Sequence, residues 1–207
     1  MKTRERANIT KISRMLSDIF RPTYYPMVGF AILLMFTYLS LLSWQWKVCM
    51  LLLVYTLTIV LPSVGVYVYR SVHKLTQHDL QYRHNRIVPY CLHLISYWVL
   101  LSILDVLRAP SFVGGIVVIS LLVQLSCTII TLWWKISMHS AGVGAIIGAL
   151  IAYSTIFQFN PVWWLCLAIL VSGLVNSSRM YLRQHTLWQV LGGTLVGFVC
   201  GLVGLFI

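Results

Sequence analysis

Two histidines in this sequence stand beside basic residues in a pattern that suits chemistry on phosphate. His139 lies in the stretch WWKISMHSAG, and His185 lies in the stretch SSRMYLRQHTLWQVLGG. One imidazole can attack phosphorus while a second protonates the leaving oxygen, provided that their protonation states differ. The pair therefore predicts a site at which a phosphate ester is hydrolysed.

Cations accompany the histidines, and the acidic residues that could neutralise them are scarce. The chain has 15 lysines and arginines but only four aspartates and glutamates. A guanidinium binds phosphate oxygens through two parallel hydrogen bonds, and no carboxylate cluster is present to hold Mg²⁺. We therefore expect phosphate chemistry without a metal or other cofactor, unless these cations only follow the positive-inside rule of membrane loops. The four candidate cations are Arg83, Arg86, Lys135 and Arg179.

The composition is that of an integral membrane protein. The 207 residues have a mean hydropathy of +0.87 and are only 9% charged, whereas soluble domains carry about a quarter charged residues. Long apolar runs without alternation predict helices, because only helices and closed barrels satisfy the backbone in lipid. The net charge of +11 is spread over short loops, which indicates membrane topology and lipid headgroups and argues against nucleic acid. The expected fold is an all-α polytopic membrane helix bundle.

About 20 apolar residues cross the hydrocarbon core, and this length predicts about six or seven transmembrane helices. Residues 1–25 form a basic N-terminal segment that could lie on the membrane as an interfacial helix. The transmembrane domain then covers residues 26–207. The candidate spans are roughly 26–44, 48–69, 88–105, 112–134, 140–158, 161–177 and 187–207.

Glycines recur at every fourth residue in the fifth and in the last of the predicted spans. Gly193, Gly197 and Gly201 lie in the last span, and Gly144 and Gly148 lie in the fifth. Small residues at this spacing let helix backbones approach closely. They predict helix packing within one chain or, as an alternative, a homodimer.

Polar residues collect in three segments that the span count places on one side of the membrane. The segments are 73–90, 133–142 and 177–193, and two spans separate each segment from the next. An even number of crossings returns the chain to the same side. The three segments can therefore build one composite site from loops and helix ends.

The spacing within these segments resembles the type 2 phosphatidic-acid phosphatase superfamily. Ser178 and Arg179 followed by His185 match its SRxxxxxH block, and 136–139, ISMH, stand where the family has PSGH. The ending HTLWQV is similar to the dolichyl-diphosphatase-like branch, where HxxxD is often written HTxxQV. The first block, KxxxxxxRP, is degraded, and Asp79 stands where it would have lysine. The resemblance covers residues 70–207, with motif blocks near 79–89, 135–139 and 178–189.

This resemblance implies a role for each matching residue. His185 would be the nucleophile that forms a phosphohistidine, and His139 would be the general acid for the departing lipid alcohol. Backbone N–H groups at a helix start near Ala141 would add donors. We infer, beyond the family pattern, that Lys135 could replace the missing lysine. The phosphate-binding residues would be Arg83, Arg86, Lys135, Ser137, Ser178 and Arg179.

Gln189 stands where most of the superfamily has an aspartate that orients the nucleophilic histidine. His185 and Gln189 are four residues apart and therefore share one helix face. The glutamine carbonyl can accept the imidazole N–H and fix the tautomer, although it cannot stabilise an imidazolium as a carboxylate would. We therefore include Gln189 among the catalytic residues.

The expected function is metal-independent hydrolysis of a phosphomonoester or diphosphate on a lipid. The substrate would be a polyprenyl phosphate or diphosphate, or a lipid of the phosphatidic-acid or lipid A type. A non-catalytic carrier or flippase that keeps the anionic-lipid pocket is the alternative, whereas a prenyl-transferring enzyme is disfavoured because aspartate-rich metal motifs are absent. Membrane lipids, and a second copy in a homodimer, are the expected partners.

The distribution of lysine and arginine predicts the orientation of the site. On the seven-span count only Lys47 and Arg108 lie on the side opposite the three polar segments. Even without the four candidate phosphate-binding cations, nine remain on the site's side. The positive-inside rule then places the site in the cytoplasm, in a multi-pass protein of a bacterial inner membrane. The resemblance implies the opposite side, because most relatives act on the extracytoplasmic face.

Overall fold

A computed structural model describes residues 2–74 and 87–206, and every regular element in these ranges is helical. Two short 3₁₀ helices, Pro22–Tyr24 and Tyr38–Leu41, flank the second α-helix. The α-helices are α1 Lys2–Ile19, α2 Tyr25–Phe36, α3 Trp44–Tyr55, α4 Leu61–Val72, α5 Ile87–Val106, α6 Ser111–Thr131, α7 Met138–Phe157, α8 Val162–Tyr181 and α9 Leu187–Val203.

Six helical segments in the described part of the chain are long and apolar enough to cross a membrane, which confirms the all-α polytopic bundle. They are Asn8–Phe36, Trp44–Val72, Ile87–Val106, Ser111–Thr131, Met138–Phe157 and Val162–Tyr181. The seventh predicted span corresponds to α9, which is apolar but has only 17 residues.

The first span differs from the prediction at both ends. The candidate span begins at Asn8 rather than near residue 26, and its helix ends at Phe36 rather than near residue 44. Thr37 ends the helix because its backbone is extended, while its hydroxyl donates to the Leu33 carbonyl and accepts from the Leu39 N–H. The basic N-terminal segment forms α1, which packs against α8.

A π-helical turn, Thr56–Val60, joins α3 to α4 in one continuous helical segment. Pro62 follows this turn at the start of α4. Proline has no N–H, and its ring clashes with the carbonyl four residues earlier, here that of Thr58. The wider turn is a recognised way for a helix to pass such a residue without breaking.

Several hydroxyl groups inside the helices are satisfied by the backbone of their own helix. Thr58 donates to the Val54 carbonyl at 2.8 Å, and Thr131 donates to the Cys127 carbonyl at 2.6 Å. A polar group without a partner in the hydrocarbon region is costly. This local bonding lets serine and threonine occupy membrane helices without a partner on another helix.

The packing of α7 on α9 fixes the part of the bundle that carries the predicted site. Their backbones touch along the glycine pattern noted in the sequence: a Cβ added at Gly144 would lie 2.2 Å from the Thr194 carbonyl oxygen, and one at Gly197 would lie 1.8 Å from the Ala141 carbonyl oxygen. The glycines therefore serve helix packing within the chain. A buried cluster that includes Ile136 and Ala141 fills the space between this pair and α6.

Candidate functional site

Three helix ends meet at one place in the bundle. They are the first turns of α7 and α9 and the last turn of α8, which carries Arg179. The backbone N–H of Ser137 donates to the Gln189 carbonyl oxygen at 3.3 Å, which joins the start of α7 to the start of α9. Arg179 and His185 both lie close enough to His139 to interact with it electrostatically. The structure thus brings the second and third predicted polar segments together.

His185 lies in the turn between α8 and α9 and is only 8% exposed. Its Nδ1 is 3.3 Å from the Gln189 Oε1 atom. The backbone N–H of Thr186 donates to the same oxygen at 3.2 Å, as part of a capping box at the start of α9. An amide oxygen can only accept, so Nδ1 of His185 carries a proton. The lone pair of the neutral ring then lies on Nε2, the nitrogen suited to attack phosphorus.

We expect Gln189→Asp to keep or raise the rate of phosphate release, because a carboxylate also accepts from Nδ1 and forms a stronger, charge-assisted bond. Gln189→Leu has a similar size but no acceptor, and we expect it to lose about 10²-fold, the lower range for acid–base groups. The measurement is phosphate release by the purified variants, with folding checked by thermal melting. Equal rates for the aspartate and leucine variants would contradict this role for Gln189.

His139 lies in the first turn of α7 and is half-buried. Its Nε2 is 3.2 Å from the backbone carbonyl oxygen of Ser17 in α1. Because a carbonyl oxygen accepts, Nε2 of His139 carries the proton in this arrangement. The Nε2 proton of His139 is therefore engaged by α1.

Arg179 contacts the same residue of α1. Its guanidinium donates to the Ser17 hydroxyl oxygen at 2.5 Å. Arg179 thus lies beside His139, as the predicted phosphate site requires. Its interactions place a strong anion-binding group where the first turn of α7 also presents backbone N–H groups.

The serines predicted to bind phosphate make local bonds. Ser137 is the N-cap of α7, and its hydroxyl oxygen accepts from the hydroxyl of Ser140 at 2.8 Å. Ser178 is buried, and its hydroxyl donates to the Val175 carbonyl oxygen at 2.7 Å. Their phosphate-binding role stays a prediction.

The remaining predicted cations are placed in part. Lys135 is half-buried in the connection between α6 and α7, two residues before the N-cap of α7. Arg83 and Arg86 lie outside the residues that the structure describes. Within residues 2–74 and 87–206, no three histidine, cysteine, aspartate or glutamate side chains are grouped as metal ligands would be.

The sequence patterns missed Ser17. The signal that could have found it is a stripe of hydroxyl residues, Thr10, Ser13 and Ser17, at helical spacing. In the basic N-terminal segment such a stripe resembles any water-facing helix surface, so its contact with a site more than 120 residues away was not predictable from the segment itself.

Residues 133–206 match the model of the PAP2 superfamily. The match covers α7, α8 and α9, whose ends form the site. No curated protein and no solved structure matches the chain at a significant level. The family match confirms the resemblance at the second and third motif blocks and supports phosphatase activity on phosphate esters, whereas the first block, near 79–89, lies outside the matched residues.

Proposed function

We propose that this chain, whose residues 133–206 match the PAP2 superfamily, hydrolyses a phosphomonoester or diphosphate on a membrane lipid through a phosphohistidine at His185. The observation that carries this proposal is the hydrogen bond from His185 Nδ1 to Gln189 Oε1. It leaves the lone pair on Nε2 of a buried histidine that shares a site with a second histidine and an arginine.

The proposed reaction has two steps. In the first, Nε2 of His185 attacks phosphorus, the bond from phosphorus to the lipid oxygen breaks, and His139, charged as an imidazolium, gives one proton to that oxygen and becomes neutral. In the second, His139 takes a proton from water, the resulting hydroxide attacks phosphorus, and the nitrogen–phosphorus bond breaks to release phosphate. Arg179 and the backbone N–H groups of the first turn of α7 neutralise the phosphoryl oxygens in both transition states.

A lipid substrate is supported by the surroundings of the site. The helices that carry it are apolar enough to lie in a membrane. An apolar groove of about 730 Å³ lies along α7 and α9, and its lining includes Trp134, Trp188 and Gly192. Trp188 is the neighbour of Gln189 in the chain. The groove therefore offers a lipid tail a path beside the catalytic residues.

The experiment that tests the proposal is phosphate release by the purified protein from a panel of lipids, with and without EDTA. The panel holds a polyprenyl phosphate, a polyprenyl diphosphate, a phosphatidic acid and a lipid A-type substrate. We expect release from at least one of them, with the same rate in EDTA. Binding of these lipids without any release would favour the carrier or flippase instead, and inhibition by EDTA would exclude the metal-independent mechanism.

We propose further that the site faces the cytoplasm of a bacterial inner membrane, because the positive-inside rule outweighs the family tendency. The test uses single cysteines in a cysteine-free background at the exposed residues His73, Tyr181 and Asn160. An impermeant maleimide added to intact cells should modify Asn160→Cys and leave His73→Cys and Tyr181→Cys unmodified until the cells are permeabilised. The reverse pattern would place the site on the outer side.

A further inference from the structure

Helix α1 has an unusual arrangement of its two faces. The side chains of Ser13 and Ser17 are only 6% and 8% exposed, and α1 packs against α8. The exposed apolar residues are Ile9, Ile12, Met15 and Ile19, which recur at helical spacing. A polar stripe therefore faces the bundle, while the exposed surface carries an apolar stripe beside the charged residues Lys11, Arg14 and Asp18. That arrangement suits a helix at the membrane surface, with its apolar stripe towards lipid, its charged residues towards water and its polar stripe towards the site.

Ser17 is the point at which this helix meets the candidate site. Its hydroxyl oxygen accepts from the Arg179 guanidinium, and its carbonyl oxygen accepts from Nε2 of His139 at 3.2 Å. Two oxygens of one residue thus engage the anion-binding group and the proton donor of the site. A phosphoryl group bound for hydrolysis would present two of its oxygens to the same pair of side chains.

We propose that α1 is an internal plug of the phosphate site, in which Ser17 occupies the position of the substrate's phosphoryl group until a phosphate displaces it. The inference rests on the proposed function for the assignment of Arg179 and His139. The plugged form is inactive, because the Nε2 proton of His139 is directed at Ser17 and the substrate's place is filled. Hydrolysis then requires α1 to move away from α8.

The relative strength of the hydrogen bonds allows this displacement. Ser17 offers Arg179 a neutral oxygen, whereas a phosphate monoester offers oxygens that share a charge of about −1.5 to −2. Hydrogen bonds between charged partners are roughly twice as strong as neutral ones. A phosphate headgroup should therefore compete with Ser17 even though Ser17 is already in place.

The chain also provides a point at which α1 can move independently of the bundle. α1 ends at Ile19, and the 3₁₀ helix from Pro22 separates it from α2. Beyond this break Tyr25 is anchored, because its ring lies where a side chain on Gly142 of α7 would be, with a Cβ there only 2.0 Å from the ring. The hydroxyl of Tyr25 also donates to the Phe20 carbonyl oxygen at 2.9 Å, so motion of α1 can be confined to the segment before Phe20.

Accessibility of α1 to a thiol reagent tests the plug without relying on hydrolysis. The reporter is the thiol of Ser13→Cys. Ser13 is buried on the same face as Ser17, but the hydrogen bonds that α1 makes to His139 and Arg179 in the described structure come from Ser17. Labelling by N-ethylmaleimide is read at each cysteine by mass spectrometry. The native Cys166, exposed on α8, serves as the internal reference. Inorganic phosphate is the ligand, and chloride at equal ionic strength is its control.

We expect saturating phosphate to raise the labelling rate of the Ser13→Cys thiol about tenfold and to leave Cys166 unchanged, as for an open state populated at about 10% without ligand. Adding Ser17→Ala should raise that rate without phosphate. In the native-cysteine background, Ser17→Ala should raise kcat/KM, and Ser17→Asp should lower it through an ion pair with Arg179.

The outcomes separate the plug from the proposed function. If phosphate inhibits release competitively but leaves the labelling rate of the Ser13→Cys thiol unchanged, the plug is wrong and the hydrolase stands. If phosphate raises that rate in a protein that hydrolyses no lipid, the plug stands and the hydrolase is wrong. If phosphate leaves the labelling rate unchanged in a protein that hydrolyses no lipid, both the plug and the hydrolase are wrong.

Discussion

His185→Ala is expected to reduce phosphate release by about 10³-fold or more while the protein still folds. Removal of a catalytic nucleophile costs this much or more in enzymes whose catalytic groups act together. The side chain is almost buried and is held by Gln189, so the variant loses the attacking nitrogen together with this hydrogen bond. Release is measured on the best lipid of the panel, and folding is measured by thermal melting.

The matched control for this variant is His73→Ala. His73 is exposed at the end of α4, where its ring bonds the Tyr69 carbonyl of its own helix. We expect the control to keep the wild-type rate. In wild-type protein quenched during turnover, an acid-labile phosphate should be found on His185. A trapped phosphate on His139 would reverse the roles of the two histidines. A His185→Ala variant with the wild-type rate would show that His185 is not the nucleophile.

The second large effect is expected from Gly197→Ala. A Cβ at this position would lie 1.8 Å from the Ala141 carbonyl oxygen and within 2.8 Å of two further backbone atoms of the same residue. Backbone cannot rotate away as a flexible side chain can, so α7 and α9 must separate. Overpacking of this kind costs about 1–3 kcal/mol and sometimes more. We expect a lower melting temperature together with a lower rate of phosphate release, because both histidines lie at the starts of these two helices.

Gly173→Ala is the matched control, since it is also a glycine inside a membrane helix. A Cβ there would meet nothing within 4 Å. Alanine restricts the unfolded chain more than glycine does, so this variant should be neutral or slightly more stable. If Gly197→Ala melted at the same temperature as Gly173→Ala, the close approach of α7 and α9 would not exist in the protein.

The helical bundle could be predicted from the sequence because run length and hydropathy are local properties. The contact of His185 with Gln189 was also predicted, but from a shared helix face. In the structure His185 lies in the turn before α9, and it meets Gln189 through the capping box at the start of that helix. The residue at which the first span begins could not be predicted in this way. The charges of Lys11, Arg14 and Asp18 mark α1 as a polar surface segment, whereas its position depends on contacts with α8.

The same distinction explains what was missed at the site. The hydrogen bond from His139 to Ser17 joins residues 122 positions apart, and no pattern within either segment encodes it. The π turn at Thr56–Val60 had a visible cause in Pro62, but its geometry depends on how the helix accommodates the proline ring. Arg83 and Arg86 stay predictions, because they lie outside the described residues.

One oxygen atom, Oε1 of Gln189, both caps the first turn of α9 through the Thr186 N–H and accepts from the imidazole of His185. Secondary structure and reactivity are therefore coupled at a single position: unwinding of the first turn of α9 would also release the imidazole and let its proton move to the other nitrogen. A substitution here is tolerated only if the new side chain serves both partners. Across natural variants of this sequence, position 189 should therefore accept carboxylate and amide side chains and exclude those that can only donate or that have no polar atom.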